Sequence, residues 1–338
     1  MRNLRTEDEI IANWKGDIDK PVVSICCITY NHEPYIEDAL EGFLIQETDF
    51  PFEILIHDDA STDRTADIIR EYEAKYPRLI KPIYQTENQY SINVNLPFKN
   101  TWDAAKGEYI AMCEGDDYWT ASKKLQIQHD NMKNNPSCFM CFHPALQVSE
   151  SQQPHVRNRY KDGTVFRLDE IVKKGGGFYP TASSFFRAVI VKKIPSWFWL
   201  HPTGDFPLAV LASTCGNICY LDKVMSVYRS HATSVTHNKE AREFGSVMKK
   251  AKSHILFLEE VGRQTDISNT SISKAIAGEF YSALSKAVKI GRFREAFMDL
   301  GSNQASLTLM QQVKLVLKIF LNYDTHANLK TFLKKDIR

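Results

Sequence analysis

Three acidic residues follow one apolar run of the sequence. Glu114, Asp116 and Asp117 come directly after residues 109–113, YIAMC, which have the length and apolarity of a buried strand. Gly115 provides a turn at which that strand must end. Crowded carboxylates are costly unless a cation neutralises them, and oxygen ligands favour magnesium or manganese. The cluster therefore predicts a divalent metal site, with a solvated turn as the alternative.

Polar residues also follow two other strand-like runs, residues 21–30 (PVVSICCITY) and 52–60 (FEILIHDDA). The polar residues at their carboxyl ends are Thr29, Tyr30, Asn31, His32, His57, Asp58 and Asp59. Taken alone, Asp58 and Asp59 can simply cap the next helix, because DDASTD is also a good turn sequence. Together with the acids after residues 109–113, in this chain order, they favour a binding site.

The elements that must bring these residues together alternate along the first half of the chain. Residues 32–46, 61–76 and about 98–106 have helical spacing, and residues 80–86 form a short third strand. The order strand, helix, strand, helix, strand, helix, strand implies an α/β fold with a mainly parallel, Rossmann-like sheet flanked by helices. Ligands bind such sheets beyond the carboxyl ends of the strands. The polar residues above should therefore meet at one edge.

Composition is that of an ordinary globular protein. The 338 residues suggest about two domains, and 43% apolar with 25% charged residues can build a sizeable core. A net charge of +1 argues against nucleic acid as a partner. The first 20 residues lack the apolar segment of a secretory signal, and no stretch reaches the roughly 18 apolar residues of a spanning helix. A cytoplasmic location is expected.

The seven cysteines favour reduced, buried thiols over a disulfide framework, because their number is odd and Cys26, Cys27 and Cys113 lie in strand-like runs. A structural zinc site is the weaker alternative. Its ligands would be Cys138, Cys141, Cys215 and Cys219, of which the second pair has unsuitable spacing.

Three segments together resemble a known family. They are PVVSICCITYNHEPYIEDAL from residue 21, FEILIHDDASTDRT from residue 52 and AAKGEYIAMCEGDDYW from residue 104. The sequence resembles the nucleotide-sugar-binding half of the family 2 glycosyltransferases, which have the GT-A fold. The resemblance covers about residues 20–135 and extends more weakly to about residue 232.

The resemblance implies a binding site for a nucleotide sugar. Tyr30, Asn31 and Glu33 correspond to the family's first loop, which packs beside the nucleotide, and Asp59 to the acid that contacts its base. The nucleotide-sugar-binding residues expected are Thr29, Tyr30, Asn31, Glu33, Asp58, Asp59, Lys99, Asn100, Glu114, Gly115, Asp117 and Arg229.

The resemblance also implies a metal ligand. Residues 114–116, Glu-Gly-Asp, stand where the family has Asp-x-Asp, and the last acid, Asp116, would bind the Mn²⁺ or Mg²⁺ that bridges the diphosphate. The chain departs from the family pattern in the preceding segment. Tyr90 replaces a Gly, and Lys99 with Asn100 stand where the family has Arg-Asn, so this loop should take another shape.

Sugar transfer explains why such residues are needed. The leaving diphosphate gathers negative charge that a cation can neutralise, and the acceptor hydroxyl must lose its proton to a general base. The resemblance gives that role to Asp205, whose alternative role is a helix N-cap, since Pro207 looks like a helix start. Trp197, Phe198 and Trp199 form either a stacking platform for a sugar ring or part of the core.

A strand at residues 218–227 should lead into a loop at residues 228–237, YRSHATSVTH, which folds back over the donor. Arg229 is expected to contact the diphosphate and His231 to bind the metal or a phosphate. The alternative for His231 is a surface histidine without such a role.

From about residue 240 the pattern is helical. Residues 252–261, 273–290 and 293–300 have helical spacing, and the last two faintly resemble one tetratricopeptide unit. Residues 310–335 combine apolar residues with lysines and predict a basic amphipathic helix. This helix would lie either on the inner membrane surface, as a peripheral contact, or on the protein's own core.

The sequence thus predicts a GT-A domain at residues 1–235 and a helical domain at residues 236–338. We expect an inverting glycosyltransferase, since the family acts by single displacement, that moves a sugar to a glycan or lipid-linked acceptor in cell-surface polysaccharide synthesis. A nucleotidyltransferase would need a Gly-rich phosphate loop, which residues 21–33 lack. A non-catalytic assembly subunit stays open as an alternative, whereas the absence of G-x-G-x-x-G opposes a dehydrogenase.

Overall fold

The computed structural model describes residues 4–231 and 244–289, together with residues 292 and 295. The chain divides into two compact units, the first holding the described residues up to 231 and the second those from 244 onward. No helix in these ranges is long and apolar enough to cross a membrane. The amphipathic helix predicted at 310–335 lies outside the described residues, as does most of the second tetratricopeptide-like helix.

The described strands belong to the first unit and form two sheets, one of eight strands and one of four. In chain order they are β1 (Val23–Thr29), β2 (Phe52–Asp58), β3 (Ile80–Tyr84), β4 (Tyr109–Glu114), β5 (Tyr118–Trp119), β6 (Cys138–Phe142), β7 (Ala145–Ser149), β8 (His155–Arg157), β9 (Val165–Phe166), β10 (Phe185–Arg187), β11 (Asn217–Tyr220) and β12 (Ser226–Ser230).

The large sheet has the order β3-β2-β1-β4-β10-β6-β11-β9, and the small sheet has the order β5-β12-β7-β8. The pairs from β3 to β4 are parallel, and so is the pair of β6 and β11. The strands β10 and β9 run antiparallel to their neighbours. The carboxyl ends of β1, β2, β3 and β4 therefore lie along one edge, as the strand-helix alternation predicts.

Helices connect the parallel strands and pack on the sheet. The described α-helices are α1 (Glu7–Ile11), α2 (Ile36–Leu44), α3 (Thr65–Lys75), α4 (Gln89–Ile92), α5 (Leu96–Ala104), α6 (Lys124–Asn134), α7 (Leu168–Lys174) and α8 (Asp205–Cys215), with α9 (Phe244–Gln264) and α10 (Asn269–Lys289) in the second unit. The predicted alternation up to β4 is confirmed, as are the helix predicted at residues 252–261 and, as far as residue 289, the helix predicted at residues 273–290. The short helix α4 was not predicted from the sequence.

The core of the first unit lies between the large sheet and its helices. Ile25 and Cys27 of β1 are fully buried, and α2 packs Leu40 and Phe43 against the same face. The ring of Phe43 meets that of Trp119 edge to face, with centroids 4.9 Å apart. Burial of such side chains contributes roughly 1.5–3 kcal/mol each.

A glycine brings α2 close to the chain that follows β4. A Cβ added at Gly42 would lie 2.8 Å from the Trp119 nitrogen and 2.9 Å from its oxygen. Such contacts are shorter than van der Waals distances to rigid backbone, so only glycine fits. The helix thereby lies directly against β5, the edge strand of the small sheet.

The strand predicted at residues 218–227 is wrong in its extent. Residues 217–220 are β11 of the large sheet, whereas residues 226–230 are β12 of the small sheet. The first part of the loop predicted at residues 228–237 is therefore strand, and residues 232–237 lie outside the described residues. Asp222 and Lys223 separate the two strands, but a polar pair inside an apolar run does not show that the chain moves to another sheet.

The expectation of reduced cysteines is wrong for one pair. Cys138 of β6 and Cys219 of β11 form a disulfide, with Cα atoms 6.1 Å apart. The two strands are neighbours in the sheet, which their sequence separation of 81 residues conceals. The bond takes one cysteine from each pair of the alternative zinc site, so that site is not formed. Cys26, Cys27 and Cys113 are buried free thiols, as predicted.

The contact at Gly42 gives a test of the packing. Gly42→Ala should lower the free energy of unfolding by about 1–3 kcal/mol, because the clash with the Trp119 backbone outweighs the gain in helix propensity of roughly 1 kcal/mol. Urea unfolding measures the change. Gly278→Ala is the matched control, since Gly278 is inside α10 and its added Cβ meets no atom within 4 Å. Gly278→Ala should raise the free energy of unfolding of its own unit. An equal rise in Gly42→Ala would contradict the close contact between Gly42 and Trp119.

Candidate active site

The acidic edge of the large sheet is assembled by strand register. Thr29 ends β1 opposite Asp58 of β2, and Ile28 lies opposite Glu114 of β4. Within the described part of the chain, several buried side-chain atoms at this edge have no hydrogen-bond partner. They are Thr29 Oγ1, His32 Nδ1, Asp58 Oδ1 and Glu114 Oε2. Because buried polar atoms are nearly always paired in native proteins, this cluster indicates a place for a polar ligand.

The turn after β4 requires Gly115. Its amide donates to the carbonyl oxygen of Ile28 at 2.9 Å, which holds the turn against the end of β1. A Cβ at this position would lie 2.7 Å from Thr29 Oγ1 and 3.0 Å from His32 Nδ1. The glycine therefore lets the acidic turn approach the β1 loop.

Asp116 lies between two histidines. His231 Nε2 is 3.0 Å from Asp116 Oδ2, and His32 Nε2 is 3.9 Å from the same oxygen. The Tyr35 ring packs against both histidines, with centroids 4.6 Å from His231 and 6.3 Å from His32. The structure thus brings together the two residues predicted as metal ligands, Asp116 and His231. It adds His32, which the sequence placed at a strand end without a role.

Burial dominates the electrostatics of the acidic turn. Burial, and then the charge of Asp116, raise the pKa of Glu114 to about 8. Burial, followed by the neighbouring carboxylates, raises the pKa of Asp117 well above its ordinary value. Burial lowers the pKa of His32, although Asp116 opposes that effect. Buried carboxylates this close together are costly, and a positive ligand would relieve the cost.

The residues fit a divalent cation that takes further ligands from a substrate. A carboxylate oxygen of Asp116 and an imidazole nitrogen of His231 converge. Carboxylate oxygens suit magnesium and manganese, and imidazole is a common ligand of metal ions. In the described part of the chain, no group of three or more His, Cys, Asp or Glu side chains is arranged to hold a metal alone. Magnesium bound with phosphates commonly uses only one or two carboxylates of the protein.

Arg229 fixes the acidic turn from the small sheet. Its backbone amide donates to Asp117 Oδ1 at 2.8 Å, and its Nη1 donates to the Asp116 carbonyl at 3.0 Å. Its Nη2 forms an ion pair with Asp38 of α2. The guanidinium also lies 4.3 Å from the centre of the Tyr118 ring. Arg229 was predicted to contact a diphosphate, and in this structure its guanidinium is occupied by protein groups.

The β1 loop is tied to the loop after β2. Asn31, with a φ of 54°, accepts a hydrogen bond from the Thr62 amide at 2.7 Å. Glu33 accepts one from the Arg64 amide at 3.2 Å. Tyr30 is 43% exposed, so its ring is open to a ligand. The structure therefore gives Asn31 and Glu33 supporting contacts within the protein, beside the site that the resemblance implies.

Asp59 is bound by the start of α4. Its two carboxylate oxygens accept hydrogen bonds from the amides of Gln89 at 2.7 Å and Tyr90 at 2.9 Å. This helix is the altered loop expected where Tyr90 replaces a glycine. The neighbouring Asp58 accepts from the Ser61 amide at 3.3 Å with one oxygen, and its other oxygen is among the unpartnered atoms.

Lys99 and Asn100 were predicted to bind the nucleotide sugar, and both lie on α5. Lys99 forms an ion pair with Asp103, one turn further along α5. Asn100 Nδ2 lies 3.2 Å from His57 Nε2. No contact in the described structure brings either residue to the Asp116 cluster.

Asp205 is the first residue of α8, and Gly204 takes the N-cap position, so the alternative role of Asp205 as the N-cap is wrong. The Thr203 hydroxyl donates to Asp205 Oδ1 at 2.5 Å, and the Tyr179 hydroxyl donates to the Asp205 carbonyl at 2.8 Å. Asp205 is close enough to Glu114 to contribute to the raised pKa of that carboxyl. The predicted base is therefore near the acidic turn.

The aromatic run before Asp205 is largely core. Trp197 is 2% exposed and Phe198 fully buried, which agrees with the core alternative, while Trp199 is partly buried. No role was predicted for Asp38 or Tyr179, because the residue that each one contacts is distant in the sequence. Only His32 carried a signal, its position directly after a predicted strand.

Proteins of similar sequence support the resemblance to the family 2 glycosyltransferases. The uncharacterised protein Rv1520 of Mycobacterium tuberculosis is 40% identical over 224 residues, which cover 64% of this chain and 61% of the relative. The chain thus spans about three fifths of that relative's length. TuaG of Bacillus subtilis, provisionally named a teichuronic acid biosynthesis glycosyltransferase, is 34% identical over 132 residues, 39% of this chain and 48% of TuaG.

Solved structures share the fold. S. aureus TarS in complex with UDP-GlcNAc has a TM-score of 0.59 at 17% identity, covering 88% of this chain and 80% of that one. The mannosyltransferase PcManGT of Pyrobaculum calidifontis, in complex with GDP-Man and Mn²⁺, has a TM-score of 0.52 at 16% identity, covering 89% and 80%. The predicted GT-A fold is confirmed. The family Glycosyl transferase family 2 matches residues 24–194, just over half of the sequence, and this chain therefore belongs to it.

Proposed function

We propose that this chain is an inverting, metal-dependent glycosyltransferase that moves a sugar from a nucleotide sugar to a glycan or lipid-linked acceptor in cell-surface polysaccharide synthesis. The observation that carries the proposal is the cluster of unpartnered buried atoms around the Gly115 turn, beside Asp116 and His231. These groups are suited to a diphosphate with its cation. Residues 1–235 would form the transferase domain and residues 236–338 a helical domain.

The comparisons support this class of donor and product. The two solved structures are complexes with UDP-GlcNAc and with GDP-Man, and the second also contains Mn²⁺. At 16–17% identity they establish the fold alone and do not select a donor base for this chain. The name of TuaG refers to a cell-wall polymer, which favours a surface polysaccharide as the product.

The protein's own residues would prepare the donor for transfer. Asp116 and His231 are the residues that would hold a cation, and the bound cation would neutralise charge on the leaving diphosphate. Arg229 would keep the acidic turn in place through the Asp116 carbonyl and the Asp117 carboxylate. Gly115 lets the acidic turn approach the end of β1 without a clash with Thr29.

The acceptor would be activated by Asp205. A carboxylate near the acidic turn can take the proton of an acceptor hydroxyl as that hydroxyl attacks the sugar. Attack opposite the leaving diphosphate inverts the anomeric centre in one displacement. The hydrogen bonds from Thr203 and Tyr179 hold both the side chain and the backbone of Asp205 for this task.

The metal assignment is tested by binding. Asp116→Asn should abolish the increase in nucleotide affinity that Mn²⁺ provides, because a neutral amide is a poorer ligand for a hard cation. Calorimetry with UDP, GDP, CDP and dTDP, each with and without Mn²⁺, measures the effect and also identifies the base. Asp130→Asn is the matched control, since Asp130 lies on the exposed side of α6. Unchanged manganese-dependent binding in Asp116→Asn would remove Asp116 from the site.

The base assignment is tested by transfer. Asp205→Asn should lower the single-turnover rate by about a hundred to ten thousand fold, because the amide keeps the size of the side chain and cannot accept the proton. Donor affinity and melting temperature should stay near those of the wild type. A folded variant that still transfers at a nearly normal rate would exclude Asp205 as the base, and a loss of donor binding would place it in the donor site.

The role of Arg229 is tested through its partner Asp38. If Arg229 acts by holding the acidic turn, Asp38→Ala and Arg229→Lys should both weaken manganese-dependent nucleotide binding by about tenfold, since each loses one charged contact. Asp67→Ala is the matched control, because Asp67 is also the third residue of its helix and also pairs with an arginine, Arg70. If Arg229 contacts the diphosphate instead, Asp38→Ala will bind the nucleotide as tightly as the wild type.

A further inference from the structure

A short turn at residues 180–184 lies between the acidic motif and α8. The Thr181 side chain lies close enough to the Glu114 carboxyl to favour its charged form. Tyr179, directly before the turn, donates from its hydroxyl to the Asp205 carbonyl at 2.8 Å. The Ser184 carbonyl accepts from the Met112 amide of β4 at 3.2 Å. The turn and the residue before it therefore link β4, which ends in the acidic motif, to the proposed base.

Two buried side chains anchor this turn from the opposite side. Trp119 Nε1 donates to the Ala182 carbonyl at 2.8 Å, and Gln128 Nε2 donates to the Ser183 carbonyl at 2.8 Å. Trp119 and Gln128 have no exposed surface. Hydrogen bonds in such a dry environment hold their partners in one geometry, because breaking one leaves a buried group unpaired.

A buried lysine joins the two anchors. Lys124 is fully buried on α6, and its Nζ donates to Gln128 Oε1 at 2.7 Å. The same Nζ lies 3.8 Å from the centre of the Trp119 ring. Burial lowers the pKa of Lys124 to about 7. A lysine in the core is costly, and here it fixes the orientation of both side chains that hold the turn.

We propose that Trp119 and Gln128 are positioning residues that set the place of Asp205 relative to Glu114 by holding the turn at residues 180–184. This inference rests on the proposed role of Asp205 as the base. The two acids are 91 positions apart in the sequence, so their separation depends on packed contacts. A misplacement of about 1 Å between a base and its substrate can cost roughly a hundredfold in rate.

The test uses two variants that act on different anchors. Gln128→Glu keeps an acceptor for Lys124 and removes the donor to Ser183, and Trp119→Phe keeps a ring beside Lys124 and removes the donor to Ala182. Each is made in the full chain and compared in single-turnover transfer, in donor binding and in hydrogen exchange of the Leu208 amide. That amide donates to the Gly204 carbonyl at 3.2 Å in the first turn of α8.

Both variants should transfer sugar at least about tenfold more slowly while donor affinity stays near that of the wild type, because the base moves whereas Arg229 still holds Asp116 and Asp117 in place. Exchange of the Leu208 amide should become faster, since the start of α8 loses its support. Gln126→Glu is the matched control on the exposed side of α6, where Gln126 Nε2 contacts Asp130. It should match the wild type in all three measurements.

Two results would overturn the inference. If the variants melt at lower temperature but transfer sugar and exchange Leu208 as the wild type does, the anchors only stabilise the fold. If donor affinity falls along with the rate, the anchors act on the donor site. A wild-type protein that transfers no sugar from any donor would count against the proposed function alone, because the Leu208 exchange still decides whether the turn supports α8.

Discussion

The burial of several carboxylates at one sheet edge is the constraint on which the rest of the first unit depends. Parallel pairing in register places Asp58 and Glu114 on either side of the last residues of β1. The same pairing excludes water from them, which raises the pKa of Glu114 to about 8 and favours its neutral form. The protein offsets part of this cost with backbone amides and Arg229, and among the described residues other acceptor atoms have no hydrogen-bond partner. A site with this balance is stabilised by a ligand that brings positive charge and hydrogen-bond donors.

The small sheet brings two side chains to that edge of the large sheet. Strand β12 pairs with β5, which follows the acidic turn by one residue, and so brings Arg229 and His231 to the acids. The contact between Arg229 and Asp116 spans 113 residues of sequence. Gly42 of α2 allows the close approach to Trp119 that sets β5 in place. The glycine, the edge strand and the arginine therefore form one chain of contacts that ends at the proposed metal ligand.

The sequence predicts the parts of this site that depend on local pattern. Continuous apolar runs of strand length, helical spacing of 3.6 residues and the polar residues that end each run are local features, so β1, β2 and β4 and the acids after them are found. The supporting contacts depend on which distant segments pack together, and no local pattern records that. Asp38 meets Arg229 across 191 residues, and Trp119 meets Ala182 across 63. The disulfide between strands of one sheet is missed for the same reason.

The departure from the family pattern at residues 88–90 has a physical explanation in the structure. Where the family has a glycine loop, this chain begins the short helix α4, and the Asp59 carboxylate accepts the amides of Gln89 and Tyr90. A carboxylate has about four acceptor sites, so the two amides leave part of the acceptor capacity of Asp59 unused. Because its two oxygens accept from consecutive amides at the start of one helix, the carboxylate is held in a single orientation. A glycine loop has more conformational freedom and would hold the carboxylate less tightly. The departure from the family pattern therefore gives Asp59 a direction that the protein's own backbone sets.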